Sequence, residues 1–129
     1  MRSLAREVVF KYLFSTLFTT PNGDLFNALK KEENLSEEDM AFADKLYDCV
    51  YQKKDEYLEL IDKFSVGFKV NRLFNADKCA LLLGIAELKN FDTPVPVAID
   101  EAVKLSAKYS TEKSTDFVNG ILARVVREN

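Results

Sequence analysis

The run Ala80-Leu81-Leu82-Leu83-Gly84-Ile85-Ala86 is the strongest constraint on what this chain can fold into, because it is apolar on every side of a helix. A helix without a polar face has to be covered from several directions. Asn75 is placed to cap it, and residues 76–88 are therefore expected to form a central helix with the other elements packed around it.

The remaining periodicity is also helical. Ser3 can cap a first helix in which Leu4, Ala5, Val8, Val9, Tyr12, Leu13 and Leu17 recur at helical spacing to about Phe18, and Pro21-Asn22-Gly23 ends it. Asp24 opens a short amphipathic segment with Leu25, Phe26 and Leu29 on one side. Ser36-Glu37-Glu38-Asp39 is a capping-box-like start, followed by Met40, Ala43, Leu46, Tyr47 and Val50 on one face. The pattern resumes through Tyr57, Leu58, Ile61 and Phe64 and stops at Gly67, with the polar run 52–56 as a break or bend between two helices. Pro94 and Pro96 suit the first turn of the next helix, which Tyr109-Ser110-Thr111 closes. Ser114 caps the last, whose stripe is Phe117, Val118, Ile121, Leu122 and Val125. Gly120 inside it costs roughly 1 kcal/mol relative to Ala, which predicts a close backbone neighbour there. No β-branched alternation competes and no internal repeat is visible, so the fold class is all-α with about seven helices.

A length of 129 residues with 47% apolar content predicts one domain spanning 1–129. No stretch approaches the roughly 20 apolar residues of a membrane span. The opening lacks the apolar core and cleavage site of a secretory signal, so a cytoplasmic location is expected. Cys49 and Cys79 are then expected as buried free thiols and not as a disulfide.

Histidine is absent, which removes the commonest general base, the usual metal partner of cysteine and every nucleophile–histidine pair. Asp100 and Glu101 are adjacent and point about 100° apart on a helix, so they do not converge like a catalytic pair. Without a glycine-rich phosphate loop or a metal-ligand cluster, neither enzyme activity nor a metal or other cofactor is expected.

The net charge of −3 is unevenly spread. Residues 1–31 carry five basic and two acidic side chains, residues 32–62 three and eleven, and residues 63–129 ten and eight. A basic face built from the two ends is compatible with that distribution, and the acidic span can dock a basic protein or simply be solvated helix surface.

Two segments carry a family resemblance. Asp92-Thr93-Pro94-Val95-Pro96-Val97-Ala98-Ile99-Asp100-Glu101-Ala102-Val103-Lys104-Leu105 resembles the "DVP…VAINEAVEL" motif of the NusB family of transcription antitermination factors, with Asp100 where Asn is usual. Lys108-Tyr109-Ser110 followed by Ser114-Thr115-Asp116-Phe117-Val118-Asn119-Gly120-Ile121-Leu122 resembles its "K-Y-G…S…FVNGVL". Residues 80–88 are similar to its "LRIALYEL" helix and residues 2–14 to its "R..ARE.A...LY" opening, so the resemblance spans essentially the whole chain. The chain departs at Ala86, where Tyr is common, at Ala123, where Asp is usual, and in having few N-terminal arginines. The resemblance implies two small helical bundles, binding of boxA-type RNA of ribosomal RNA transcripts, pairing with the ribosomal protein NusE, and an indirect link to RNA polymerase. A related module is fused to ribosomal RNA methyltransferases; with no methyl-donor-binding βαβ region before Asn129, the free-standing form is expected.

The candidate RNA contacts are Arg2, Arg6, Lys113, Phe117 and Asn119. Arg2 and Arg6 are four apart on one side of the first helix, where they could hold successive phosphates. The last helix begins at Lys113, where unsatisfied amides and the dipole favour an anion, although Asp116 opposes it. The resemblance carries over Lys113, Phe117 for base stacking and Asn119 for hydrogen bonding, with core burial the competing use of Phe117. Phe10, Phe14 and Phe18 form a second stripe that could take bases, pack internally or be buried in a homodimer. The alternative reading is a helical protein-interaction module, homodimeric in one version, with little RNA affinity; a continuous basic strip through Arg2, Arg6 and Lys113 would argue against it and scattered charge would support it.

Overall fold

A computed structural model describes residues 2–65 and 73–128. They form six α-helices with no strand among the described residues: α1 (Arg2–Ser15), α2 (Gly23–Glu32), α3 (Glu37–Phe64), α4 (Asn75–Asn90), α5 (Val95–Tyr109) and α6 (Ser114–Arg127).

The count differs from the expected seven because α3 continues for 28 residues through the polar run 52–56. That run is rich in helix formers, and Lys53 and Glu56 pair at 3.8 Å one turn apart. All of it but the half-buried Lys54 is exposed, and the helix runs on through it without a break. Gly67, the expected terminator, lies outside the described residues.

Helix starts follow local hydrogen bonding. Ser36 accepts from the Asp39 amide at 3.1 Å and caps α3 as expected, and Asn22 accepts from the Asp24 amide at 2.9 Å to cap α2. For α4 and α6 the boundary residues are Phe74 and Lys113, one position before the expected Asn75 and Ser114, and neither supplies a side-chain cap.

α4 is buried without interruption from Cys79 to Glu87 and packs against α1, α3, α5 and α6. It joins two groups of three helices, α1–α3 and α4–α6, through one apolar core to which all six helices contribute. In the first group Tyr12 stacks on Phe26 at 4.6 Å with Tyr47 beside both.

Named contacts fix the directions. Arg6 meets Glu87 while Phe14 shares a cleft with Ala76, so α1 runs antiparallel to α4. Ser3 reaches Glu101 and Phe10 stacks on Tyr109 at 4.8 Å, so α1 runs parallel to α5. Ser114 meets Asp77 and Leu122 meets Gly84, so α6 runs parallel to α4.

The close approach expected at Gly120 occurs at Gly84 instead. A Cβ there would lie 2.8 Å from Leu122 Cδ1 and 3.2 Å from Ala102 Cβ, whereas one on Gly120 would meet nothing within 4 Å. Gly84 is the position at which α4, α5 and α6 converge.

Candidate nucleic-acid interface

Arg6 lies on the inner face of α1, between Ala5 and Val9, and is 5% exposed. Its Nε donates to Glu87 Oε1 at 2.7 Å and its Nη2 to Glu87 Oε2 at 2.5 Å, while Nη1 lies 3.3 Å from Glu101 Oε1. Burial disfavours the charged guanidinium, yet the hydrogen bonds and charge of Glu87, and then the charge of Glu101, outweigh it and raise the Arg6 pKa. The expected outward phosphate-holding role of Arg6 is therefore corrected: its donors are spent on joining α1 to α4 and α5. A signal for this was present in the sequence, because Glu87 closes the most apolar helix and a carboxylate buried there needs a cation.

Arg2 is exposed, with its guanidinium 4.7 Å from the centre of the Phe42 ring; Arg6 lies 5.2 Å from the same ring. Lys113 is exposed at the start of α6. Phe117 is half-buried, and together with Leu73, Phe74 and Lys113 it lines an apolar groove of about 560 Å³. Ser114, at the floor of that groove, donates to Asp77 Oδ2 at 2.9 Å, and Asp77 Oδ1 has no hydrogen-bond partner among the described residues. Asn119 is exposed, but two residues on a helix turn about 200°, so it faces away from the Phe117 groove.

Lys113 and Phe117 are thus brought together, while Arg2 lies elsewhere. Lys113 sits by the first turn of α4, at Asp77, and Arg2 by its last, where it shares a cleft with Asn90 and Phe91. Sixteen residues of helix separate those ends by roughly 24 Å. With Arg6 buried between them, Arg2, Arg6 and Lys113 do not form a continuous basic strip; the charge is scattered.

The phenylalanine stripe does not form one free face either. Phe10 is buried against Tyr109, Phe14 is half-buried, and only Phe18, beyond the end of α1, is largely exposed at 65%. Beside Phe10, Glu7 accepts from Lys108 at 2.6 Å and from Tyr109 at 2.8 Å. Burial opposes the Glu7 carboxylate, but these hydrogen bonds and the Lys108 charge hold its pKa below the usual range. Cys79 is a buried free thiol, as expected, with its pKa pushed up to about 12 by burial, whereas Cys49 is only half-buried. Residues that sequence reasoning missed are Phe74, Asp77, Lys45, Phe42 and Phe91, none of which stands out by periodicity.

Among the described residues no group of three His, Cys, Asp or Glu could hold a metal, and no helix is long and apolar enough to cross a membrane. The fold and surface define a small all-helical protein with dispersed basic groups and an apolar groove at the start of its last helix. The NusB family model matches residues 2–127, and the chain belongs to the NusB family. The transcription antitermination protein NusB of Ruminiclostridium cellulolyticum is 36% identical over 126 residues, covering 96% of this chain and 87% of the relative. The solved T. maritima NusB aligns with a TM-score of 0.90 at 29% identity, covering all of this chain and 92% of the other. A crystal structure of the antitermination factors NusB and NusE in complex with dsRNA aligns with a TM-score of 0.87 at 29% identity, covering 99% and 97%.

Proposed function

We propose that this chain is a noncatalytic transcription antitermination factor of the cytoplasm, a single RNA-binding domain over residues 1–129. It binds boxA-type RNA of ribosomal RNA transcripts together with the ribosomal protein NusE, and acts on RNA polymerase through that complex. The observation that carries this reading is the near-complete structural match to the chain from the NusB–NusE complex with dsRNA.

The contacts proposed are Arg2 and Lys113 on phosphates, Phe117 on a base at the groove edge and Asn119 by hydrogen bonding, with Arg6 contributing through the packing of α1. Because the two basic points stand at opposite ends of α4, neither end alone offers a dense cationic surface. Binding is therefore expected to be weak for the isolated chain and strengthened by NusE.

Fluorescence anisotropy on a boxA RNA and a scrambled one, at several salt concentrations and with and without NusE, tests this. Tighter boxA binding that weakens with salt is expected. Equal affinity for both sequences in the presence of NusE would overturn the reading in favour of a protein-interaction module.

A further inference from the structure

At the far end of α4 from the Lys113 groove, α1, α3 and the α4–α5 connection enclose a cleft of about 370 Å³. Two exposed cations, Arg2 and Lys45, line it. Each is laid over a ring: the Arg2 guanidinium lies 4.7 Å from the Phe42 centroid and Lys45 Nζ 4.3 Å from the Phe91 centroid. The two rings meet each other at 5.0 Å and 58°. Phe42 is 5% exposed and also lies 5.2 Å from the buried Arg6 guanidinium, so the arrangement has a fixed base.

The ring contacts decide what this cleft can take. Each ring already holds an exposed cation, Arg2 over Phe42 and Lys45 over Phe91. The cations themselves form no ion pair among the described residues and keep their N–H donors for an external acceptor. Pinning both stems also lowers the rotamer entropy lost when an anion is bound.

We propose that Arg2 and Lys45, held by the Phe42–Phe91 ring pair, form a phosphate grip for the RNA backbone, so that Lys45 is a further RNA-binding residue of this protein. The inference rests on the RNA-binding reading above. Glu38 and Asp92 line the same cleft and oppose the anion, which makes the grip weak and dependent on salt. A grip of this kind is blind to sequence, since phosphate contacts position a strand without reading it.

The test measures binding of the full chain with NusE to boxA and scrambled RNA from 0.05 to 0.5 M salt, for wild type, Lys45→Ala and Glu38→Gln. Each phosphate contact contributes about 0.7 to the single-strand salt slope, so Lys45→Ala is expected to flatten the slope by about that amount and to weaken both RNAs about fivefold near 0.1 M. Glu38→Gln, which removes an opposing charge from an exposed position, is expected to tighten both RNAs. A merely structural effect would not produce shifts of opposite sign with an unchanged boxA preference. Wild type that binds neither RNA overturns the functional reading and this inference with it. Wild type that binds boxA, with both variants matching it in affinity and slope, overturns the inference alone.

Discussion

The residue that most changes meaning between sequence and structure is Arg6. By spacing it belongs with Arg2, and by position it belongs with Glu87, which is 2% exposed. Periodicity locates a residue on a helix face but does not say which neighbour covers that face. Removing one partner of a buried pair costs about 3–5 kcal/mol, because the other charge is left desolvated. Arg6→Ala is therefore expected to lower the urea unfolding free energy by about that amount, and replacing both members, as Arg6→Met with Glu87→Leu, to restore most of it. A single variant as stable as wild type would show that Glu87 finds another cation or water. Loss of RNA binding in Arg6→Ala has to be judged against its folded fraction, whereas Arg2→Ala, an exposed change, reports on the surface directly.

Among the elements, Gly84 and Gly120, both in helix interiors, give opposite expectations for one substitution. Gly→Ala in a helix gains about 1 kcal/mol of propensity where nothing opposes it. At Gly120, exposed and with open space around its Cβ position, that gain is expected in full. At Gly84 the added methyl meets Leu122 and Ala102, both buried, and overpacking of this kind costs about 1–3 kcal/mol, so Gly84→Ala is expected to be net destabilising. Thermal melts of the two variants should move in opposite directions, and movement in the same direction would mean that α6 shifts freely away from α4. Sequence alone points to a close approach at Gly120, because propensity marks a glycine as costly without showing what stands opposite it. The helices themselves were legible: most of each apolar stripe is buried or half-buried, with Leu4 and Leu25 exposed and Leu17 beyond the end of α1, and α4 is central as its unbroken apolar run required. The expectation of a break or bend at residues 52–56 shares that origin, since a polar run signals solvent exposure and α3 is long enough to run on through solvent there.

For the whole molecule, the question is whether α1–α3 and α4–α6 are two cooperative units or one. The geometry favours one. α4 has no face of its own to spare: its buried side chains run from Cys79 to Glu87 and are shared among four neighbouring helices. Detaching α1 and α3 would uncover the faces of α4 that pack on them and would strand Glu87, whose partner Arg6 is on α1. Burying a Leu or Ile contributes about 1.5–3 kcal/mol, so a separated three-helix group of some 55 residues with such an apolar face uncovered would retain little stability. Unfolding is therefore expected to be two-state. The chain has no tryptophan, and Tyr12, Tyr57 and Tyr109 lie on α1, α3 and α5, so tyrosine emission samples both groups while circular dichroism at 222 nm reports all helices. Urea transitions followed by the two signals should share one midpoint and one slope. If they separate, the α1–α3 group melts independently, and the proposed RNA-binding surface, which draws on both ends of α4, would then have to be completed by binding and not by folding alone.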